Sequence, residues 1–357
     1  MIDFLIIGQG LAGSILGWTL HQAGKSILII DNGHKTSASQ VGAGFMNYIS
    51  GKRLTLTWEA PTLIPFAESF YQQLEHQFDT SFFHTYPEYR FFTTEKEVEY
   101  RKKRYNTPLN NYFKRPLTPS NYHPFNTHFN KKNECYGGEI IDGSSMLNIP
   151  HFLDTLQTYF KQTNQLIHHH INWNSIQFSD DTISIENPII GNRLTAKNII
   201  LCAGSELRHT PWFSNIQYRS AKGETLTLSC SQKIPIRLYN FGKWLIPFNN
   251  HWRLGATYEW DNLNHMPTPQ GKKLLLDSLH QMGITEDKII DHQAAIRCIT
   301  PDNAPLIGTH PHHSRLHVFS GLGSRGVMTA PYYAKRFTQT LLSNTPISDH
   351  VNVNRYM

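Results

Sequence analysis

Nothing in this 357-residue chain forms an uninterrupted apolar run near the roughly eighteen residues that a membrane-spanning helix needs. Cysteine is scarce too. The four, Cys135, Cys202, Cys230 and Cys298, are scattered with no C-x-x-C spacing, which argues against a disulfide scaffold or a zinc site and for reduced thiols in a cytosol. Also missing is any Ser-His-Asp or paired-carboxylate set that would mark hydrolytic machinery. Twenty histidines do not make up for these absences. His168, His169 and His170 would alternate faces on a strand, and His310, His312 and His313 share a proline-containing loop. Neither group has an acidic partner at metal-ligand spacing, so no metal is expected. The first apolar strand follows the initiator methionine directly, which leaves no room for a signal peptide and makes a cytoplasmic protein the expectation.

What is present is ordinary in bulk and specific in detail. With 39% hydrophobic and 17% charged residues the composition is that of a globular protein, and the length suits two domains. The opening stretch carries the sharpest signal. Phe4 to Ile7 is a short β-branched run bounded by glycine, which reads as a buried parallel strand. Gly8, Gly10 and Gly13 follow at G-x-G-x-x-G spacing, with Leu11 and Ala12 between them, and a helical pattern then runs to Gly24. Ser26 to Ile30 is a second strand, closed by Asp31 and Asn32, with Asp31 lying 23 residues after Gly8. Gly8 allows a tight turn, Gly10 lets a pyrophosphate approach the backbone, and Gly13 lets helix and strand pack closely. The helix start offers N–H groups and partial positive charge to phosphates, and Asp31 suits a ribose diol. The chain therefore begins as an FAD or NAD site.

Past Asn32, the small residues Ser37, Ala38, Ser39, Gly42, Ala43 and Gly44 form a loop able to press its backbone against a flat ring system, and the loop leads into Phe45 and Met46. Leu63 to Phe78 reads as an amphipathic helix. Between about 82 and 115, aromatic residues alternate with Arg101, Lys102, Lys103, Arg104, Lys114 and Arg115, a pattern that serves either a solvated helix face or a nucleic acid track. The net charge of +6 tilts the same way without choosing among FAD, carboxylates and RNA. A helix from Leu147 to about Gln162 follows, then short strands over Gln165 to Ile171 and Ser175 to Ile185. Lys197 to Cys202 is another buried strand, closed by Ala203 and Gly204. From Ile216 to Ile296 alternation predicts an antiparallel sheet, with a hairpin turning at Asn249 and Asn250. Near the end, Arg297 sits on a strand between apolar residues, where a half-buried guanidinium calls for an anionic partner. The run Gly321, Leu322, Gly323, Ser324, Arg325, Gly326 then approaches a helix expected to open near Thr329 to Pro331. This is a second helix N-terminus suited to electron-rich ligand atoms.

Taken together, these motifs resemble the FAD-dependent D-amino-acid oxidase superfamily, on its glycine oxidase and sarcosine oxidase side. The resemblance implies an α/β fold with an α+β substrate domain: a Rossmann-like, glutathione-reductase-type FAD domain interleaved with an antiparallel-sheet domain. The expected boundaries are 1–57, 136–215 and 297–357 for FAD and 58–135 and 216–296 for the substrate. It implies FAD contacts at Gly8, Gly10 to Gly13, Asp31 and Asn32, and beside the ring at Ser39 and Gly42 to Gly44. Further contacts are implied at Ile171, Ala203 and Gly204, and around the isoalloxazine from Gly321 through Val327 and Met328. Arg297 stands where the family's arginine binds the substrate carboxylate, and Cys298 stands where a proline is usual. Arg325 or the helix dipole would place positive charge near flavin N1, and Tyr258, Phe241, Tyr239 and Met46 are candidate pocket walls.

The activity expected is oxidation of the C–N bond of a small amino acid or N-substituted glycine, with hydride passing to flavin N5 and no general base required. The GLGSRG run also resembles the oxidase domain of the MnmC enzymes, so a free-standing tRNA wobble-uridine oxidase is the alternative. A flavin-binding redox partner without amine chemistry is a third reading. The expected partners are an amino acid or amine carboxylate and, on the alternative, tRNA, with no membrane.

Overall fold

The apolar run after the initiator methionine forms the strand Ile2–Ile7, which is the centre of a mostly parallel sheet. The computed structural model describes residues 1–33, 36–117, 136–186 and 193–357. Backbone contacts divide the chain into one unit of Met1–Gly42, Ile149–Ala221 and Ile296–Met357 and another of Ala43–Asn148 and Lys222–Ala295.

In the first unit, Ile2–Ile7 pairs in parallel with Ile27–Asp31 on one side and Arg193–Leu201 on the other. Leu166–His168 extends the sheet beyond Ile27–Asp31. The far end of Arg193–Leu201 pairs in parallel with His313–Ser320, and its near end antiparallel with Ile183–Glu186. Leu5, Ile6, Ile29, Ile30, Ile199 and Ile200 are completely buried, as strands covered on both faces require. The helix Leu11–Gln22 packs between Ile149–Gln162 and the C-terminal helix Gly326–Ser343. This order places the carboxyl ends of Ile2–Ile7 and Arg193–Leu201 side by side, and the Cys202 amide donates to Ile7 O at 2.8 Å.

The second unit is built on an eight-stranded sheet. Its order is Lys288–Arg297, Ala221–Ser229, His251–Gly255, Trp244–Phe248, Leu238–Asn240, Glu88–Phe91, Gly138–Ile141 and Phe113–Pro116. The hairpin between Trp244–Phe248 and His251–Gly255 turns at Asn249 and Asn250, both left-handed at φ 45° and 63°, as expected of a two-residue turn. Leu238–Asn240 runs parallel to Glu88–Phe91, so the sheet is mixed rather than purely antiparallel. Tyr239 and Phe241 are buried in this unit's apolar core beside Leu226, Leu245 and Leu254.

Other differences from the sequence reading have local causes. Ala38–Val41 is a single helical turn instead of a loop, because Ser37 Oγ accepts the Gln40 amide at 3.3 Å. The C-terminal helix opens at Gly326, since the Met328 and Thr329 amides already bond to Arg325 O at 3.1 and 3.0 Å. Pro331 therefore lies inside that helix and removes one donor from it. Leu147 belongs to the strand Ser145–Leu147, and the helix begins at Ile149. Segments 43–57 and 136–148 group with the second unit: Phe45–Met46 pairs with Ser145–Leu147, and Gly138–Ile141 pairs with Glu88–Phe91. Segment 216–221 groups with the first, where the Arg219 amide donates to Ile299 O at 2.8 Å. Cys135 lies outside the described residues.

Candidate cofactor and substrate site

The glycines of the first turn are required by the backbone around them. Gly8 has φ +106°, and a Cβ there would come within 2.6 Å of Cys202 O. A Cβ on Gly13 would overlap the carbonyl oxygen of Gly8. Gly10 caps the helix Leu11–Gln22 without a side-chain hydrogen bond, and no acid stands in the first helical turn to compete with an anion. Asp31 is locked onto this turn: its Oδ2 accepts the Gln9 amide and its Oδ1 the Gly33 amide, each at 2.7 Å. Among the described residues each carboxylate oxygen takes one such bond, which leaves it a lone pair for a diol. Asn32 is exposed beside it.

Ser39 lies nearer the helix start than its place in the sequence suggests. Its Oγ accepts the Leu11 amide at 3.1 Å and lies 3.0 Å from where a Cβ of Gly10 would be. Ala12 is buried beside Leu11. Gly42 follows the same helical turn, and Gly44 has φ +71° with its carbonyl accepting the Leu147 amide at 2.9 Å. Ala43 packs with the apolar cluster of Met146, Leu238 and Ile246, and Met46 is buried. Tyr258, also in the second unit, is half exposed and its ring lies 5.9 Å from Trp260.

On the far side of Ile2–Ile7, Ala203 and Gly204 open a short turn at the end of Arg193–Leu201, and Gly204 is left-handed at φ +54°. Burial drives the Cys202 thiol well above its ordinary range, so this cysteine is packing against Gly8 and Gly13 rather than a reactive group. Ile171 is buried in the first unit's core.

The C-terminal loop meets this turn within the same unit. A Cβ on Gly326 would lie 3.6 Å from Leu11 Cδ1, so the two helix starts are neighbours. Gly321 and Gly323 are left-handed at φ +67° and +56°, and a Cβ on Gly321 would press on the backbone of Leu306 at 2.9 Å. Leu322 bridges to Ile299, the Gly323 amide donates to Cys298 O at 3.1 Å, and Ser324 is exposed. Arg325 Nη2 donates to Asn303 O at 2.6 Å and ties the loop to the preceding turn. Val327 and Met328 are buried, and no acid stands in the first turn of their helix. Arg297 is half-buried at the end of Lys288–Arg297, one residue before the carbonyl that fixes Gly323. Burial raises the Cys298 thiol to about 11, which keeps it neutral.

Two open helix starts, a glycine turn that tolerates no side chain and an acid held at its edge fit a dinucleotide. Comparison with known proteins names which one. Residues 3–340 match the DAO family of FAD dependent oxidoreductases. The chain belongs to that family. Its cofactor is FAD. The chain is 24% identical to the bifunctional tRNA 5-methylaminomethyl-2-thiouridine biosynthesis protein MnmC of Marinobacter nauticus, over 98% of its own length and 58% of that relative's. It is 23% identical to a glycine oxidase of Pseudomonas putida over 49% of this chain and 46% of that one. In fold it is similar to glycine oxidase from Bacillus cereus, with a TM-score of 0.79 at 14% identity over 97% and 96% of the two chains. It is similar also to iminodiacetate oxidase from Chelativorans, with a TM-score of 0.75 at 17% identity over 99% and 98%.

Two groups of polar residues escaped the sequence reading. Arg101, read there as part of a basic run, is buried. Its Nε donates to Glu139 at 2.8 Å and its Nη2 to Asn110 at 3.0 Å, between the rings of Tyr105 and Phe113. Arg104 turns onto the carbonyls of Leu54 and Arg53. Half of that run therefore faces inward, and Lys102 and Lys103 are its exposed members. The second group surrounds Glu88, which is completely buried. Alternation in Glu-Tyr-Arg at 88–90 was the available signal, since it puts Glu88 and Arg90 on one face of a strand. Among the described residues no group of three or more His, Cys, Asp or Glu could hold a metal ion, and no helix is long and apolar enough to cross a membrane.

Proposed function

We propose that this FAD-dependent oxidoreductase oxidises the C–N bond of a small α-amino acid or N-substituted glycine. The observation that carries the reading is the placement of Arg297. It ends a strand one residue before Cys298, whose carbonyl anchors the glycine loop at the start of the C-terminal helix. A planar guanidinium there can take a carboxylate through two parallel hydrogen bonds and so fix the orientation of the α-carbon. FAD, when bound, supplies the acceptor for the hydride that leaves that carbon. The chain's own contribution is placement. Gly8 to Gly13, Asp31 and Ser39 hold the nucleotide half, Gly321 to Met328 the ring half, and Arg297 the substrate carboxylate. Met46 and Tyr258 stay the sequence's candidates for pocket walls. The nitrogen binds as the neutral amine, so no general base is required. The oxidised product is an imine, which takes up water and separates into a carbonyl compound and ammonia, or an amine where the nitrogen carries a substituent.

Anaerobic addition of glycine, sarcosine or D-alanine to the yellow holoprotein tests this. Bleaching by at least one supports the reading, and indifference to all three contradicts it. A second substrate is favoured by one observation, the similarity to MnmC along nearly the whole chain. A carboxymethylaminomethyl group on a tRNA wobble uridine is itself an N-substituted glycine and presents the same carboxylate and amine. An unaltered wobble uridine in cells lacking the gene would rule it out.

A further inference from the structure

Within the second unit, a turn and a helix end that lie 50 residues apart in the chain are joined so that their cations gather. The Leu54 amide donates to Gly51 O at 3.1 Å and closes a turn with Lys52 and Arg53 at its two central positions, both exposed. Leu54 itself is left-handed at φ 51° and completely buried, in an apolar cluster against which Val98 and Tyr100 of the helix Glu95–Arg104 pack. A leucine holds that conformation only where its surroundings fix it. Two guanidiniums do so here. Arg90 Nη2 donates to Gly51 O at 2.7 Å, and Arg104 Nε and Nη2 donate to Leu54 O and Arg53 O at 3.2 and 3.3 Å. Arg104 thus clasps the turn to the end of its own helix, whose last turn exposes Lys102 and Lys103. Among the described residues none of Lys52, Arg53, Lys102 and Lys103 forms an ion pair. Tyr105, directly after the helix, is half exposed.

We infer that this face is a docking surface for an RNA strand, with the four cations on backbone phosphates and the Tyr105 ring stacked on a base. This rests on the second reading above, in which a tRNA carries the amine, and adds the surface that holds the tRNA. Lysines at a helix C-terminus complement its dipole, which accounts for Lys102 and Lys103. It does not account for Lys52 and Arg53, which a disfavoured backbone holds beside them at a cost in like-charge repulsion. A row of phosphates relieves that repulsion, and cations whose backbone is fixed beforehand lose less freedom on binding. An exposed aromatic ring beside them is the combination that takes up single-stranded nucleic acid. An anionic bilayer would call for an apolar side chain at the tip of the turn, whereas Leu54 is spent on the interior.

Filter binding of the holoprotein to an unmodified tRNA transcript tests this, because the transcript has no amine to oxidise and binding is read apart from turnover. Lys52→Glu with Arg53→Glu, and Lys102→Glu with Lys103→Glu, should each weaken binding at least about tenfold at about 100 mM salt. Each pair should also lower the slope of log affinity against log salt by about 1.5. Tyr105→Ala should weaken binding about tenfold and leave the slope unchanged, as loss of stacking does. Lys272→Glu with Lys273→Glu, exposed elsewhere in the same unit, makes the same change in net charge and should bind as the wild type does. Retained flavin colour checks that each variant is folded. No binding at about 50 mM salt, equal loss from the control pair, or binding that both test pairs leave intact overturns the inference. So does a wild type that takes up phosphatidylserine vesicles and ignores tRNA. Bleaching by tRNA that carries the carboxymethylaminomethyl group is a separate readout, so failure of the tRNA-oxidising reading is distinguishable from failure of this surface.

Discussion

The Asp31 carboxylate accepts the Gln9 amide at 2.7 Å, across 22 residues of chain. The acid at the end of the second strand therefore shapes the glycine turn as well as waiting for a ribose. Replacing it should hurt in both capacities. Asp31→Ala is expected to weaken FAD binding at least tenfold and to destabilise the apoprotein by about 1–2 kcal/mol, as loss of hydrogen bonds to a charged acceptor does. Titration of apoprotein with FAD and chemical denaturation without it measure the two effects separately.

Gly13→Ala is a harsher change. The added methyl collides with the Gly8 carbonyl, and neither backbone segment can move without opening the contact with Cys202. A loss of about 2–3 kcal/mol is expected from overpacking, with little flavin retained on purification. Gly24→Ala is the control, since a Cβ there meets nothing within 4 Å, although φ +75° makes it mildly strained. It should keep its flavin.

Arg297→Lys separates charge from geometry. Lysine retains the positive charge but cannot form the two-pronged pair with a carboxylate. Binding of acetate or of an amino acid should weaken about tenfold in the lysine variant and about a hundredfold in Arg297→Ala, while the flavin remains bound. Spectral titration of the holoprotein gives both constants.

The basic run at 101–104 divides by burial. Arg101→Ala leaves Glu139 buried without its ion pair, and a destabilisation of about 3–5 kcal/mol is expected. Any affinity for tRNA should instead fall on reversal of Lys102 and Lys103, with the salt dependence of phosphate contacts. Denaturation curves and filter binding at two salt concentrations distinguish the roles.

Acid should weaken the first unit through His317. Burial lowers its pKa from 6.5 to about 4, while Thr309 Oγ1 and Asn198 Oδ1 hold its two ring nitrogens at 2.9 and 3.2 Å. The unfolded chain then takes up a proton near 6.5 that the folded chain refuses until about 4. The stability due to the neutral ring is complete above the higher value and is lost as pH falls toward the lower one, by about 3 kcal/mol in all. Melting temperatures of the wild type and His317→Asn between pH 7 and 4 should converge if this holds.

Much of the first unit was legible because its signals are local. Strand, glycines, helix, strand and acid lie within thirty residues, and the strand periods of Phe4 to Ile7 and Lys197 to Cys202 need no partner to be read. Ser39 was harder to place, since a one-turn helix capped by Ser37 brings its hydroxyl back to Leu11 across 28 residues. The Glu88 network left only one local signal, the alternation that puts Glu88 and Arg90 on one strand face. It joins positions 47, 88, 144 and 240, and a lone glutamate in a strand looks the same whether it faces water or a saturated interior. Arg101 failed for the same reason: charge runs look solvated until one member finds a buried carboxylate 38 residues away.

The central claim is that FAD bound at the Gly8 turn receives hydride from an amine whose carboxylate is held by Arg297. Stopped-flow reduction of the holoprotein by sarcosine under nitrogen tests it most directly, with wild type and Arg297→Ala compared at saturating FAD. Rapid bleaching of the wild type, slowed about a hundredfold or more in the variant, is the result predicted. Equal rates in the two proteins, or a wild type that stays yellow with every amino acid and modified nucleoside offered, would contradict it.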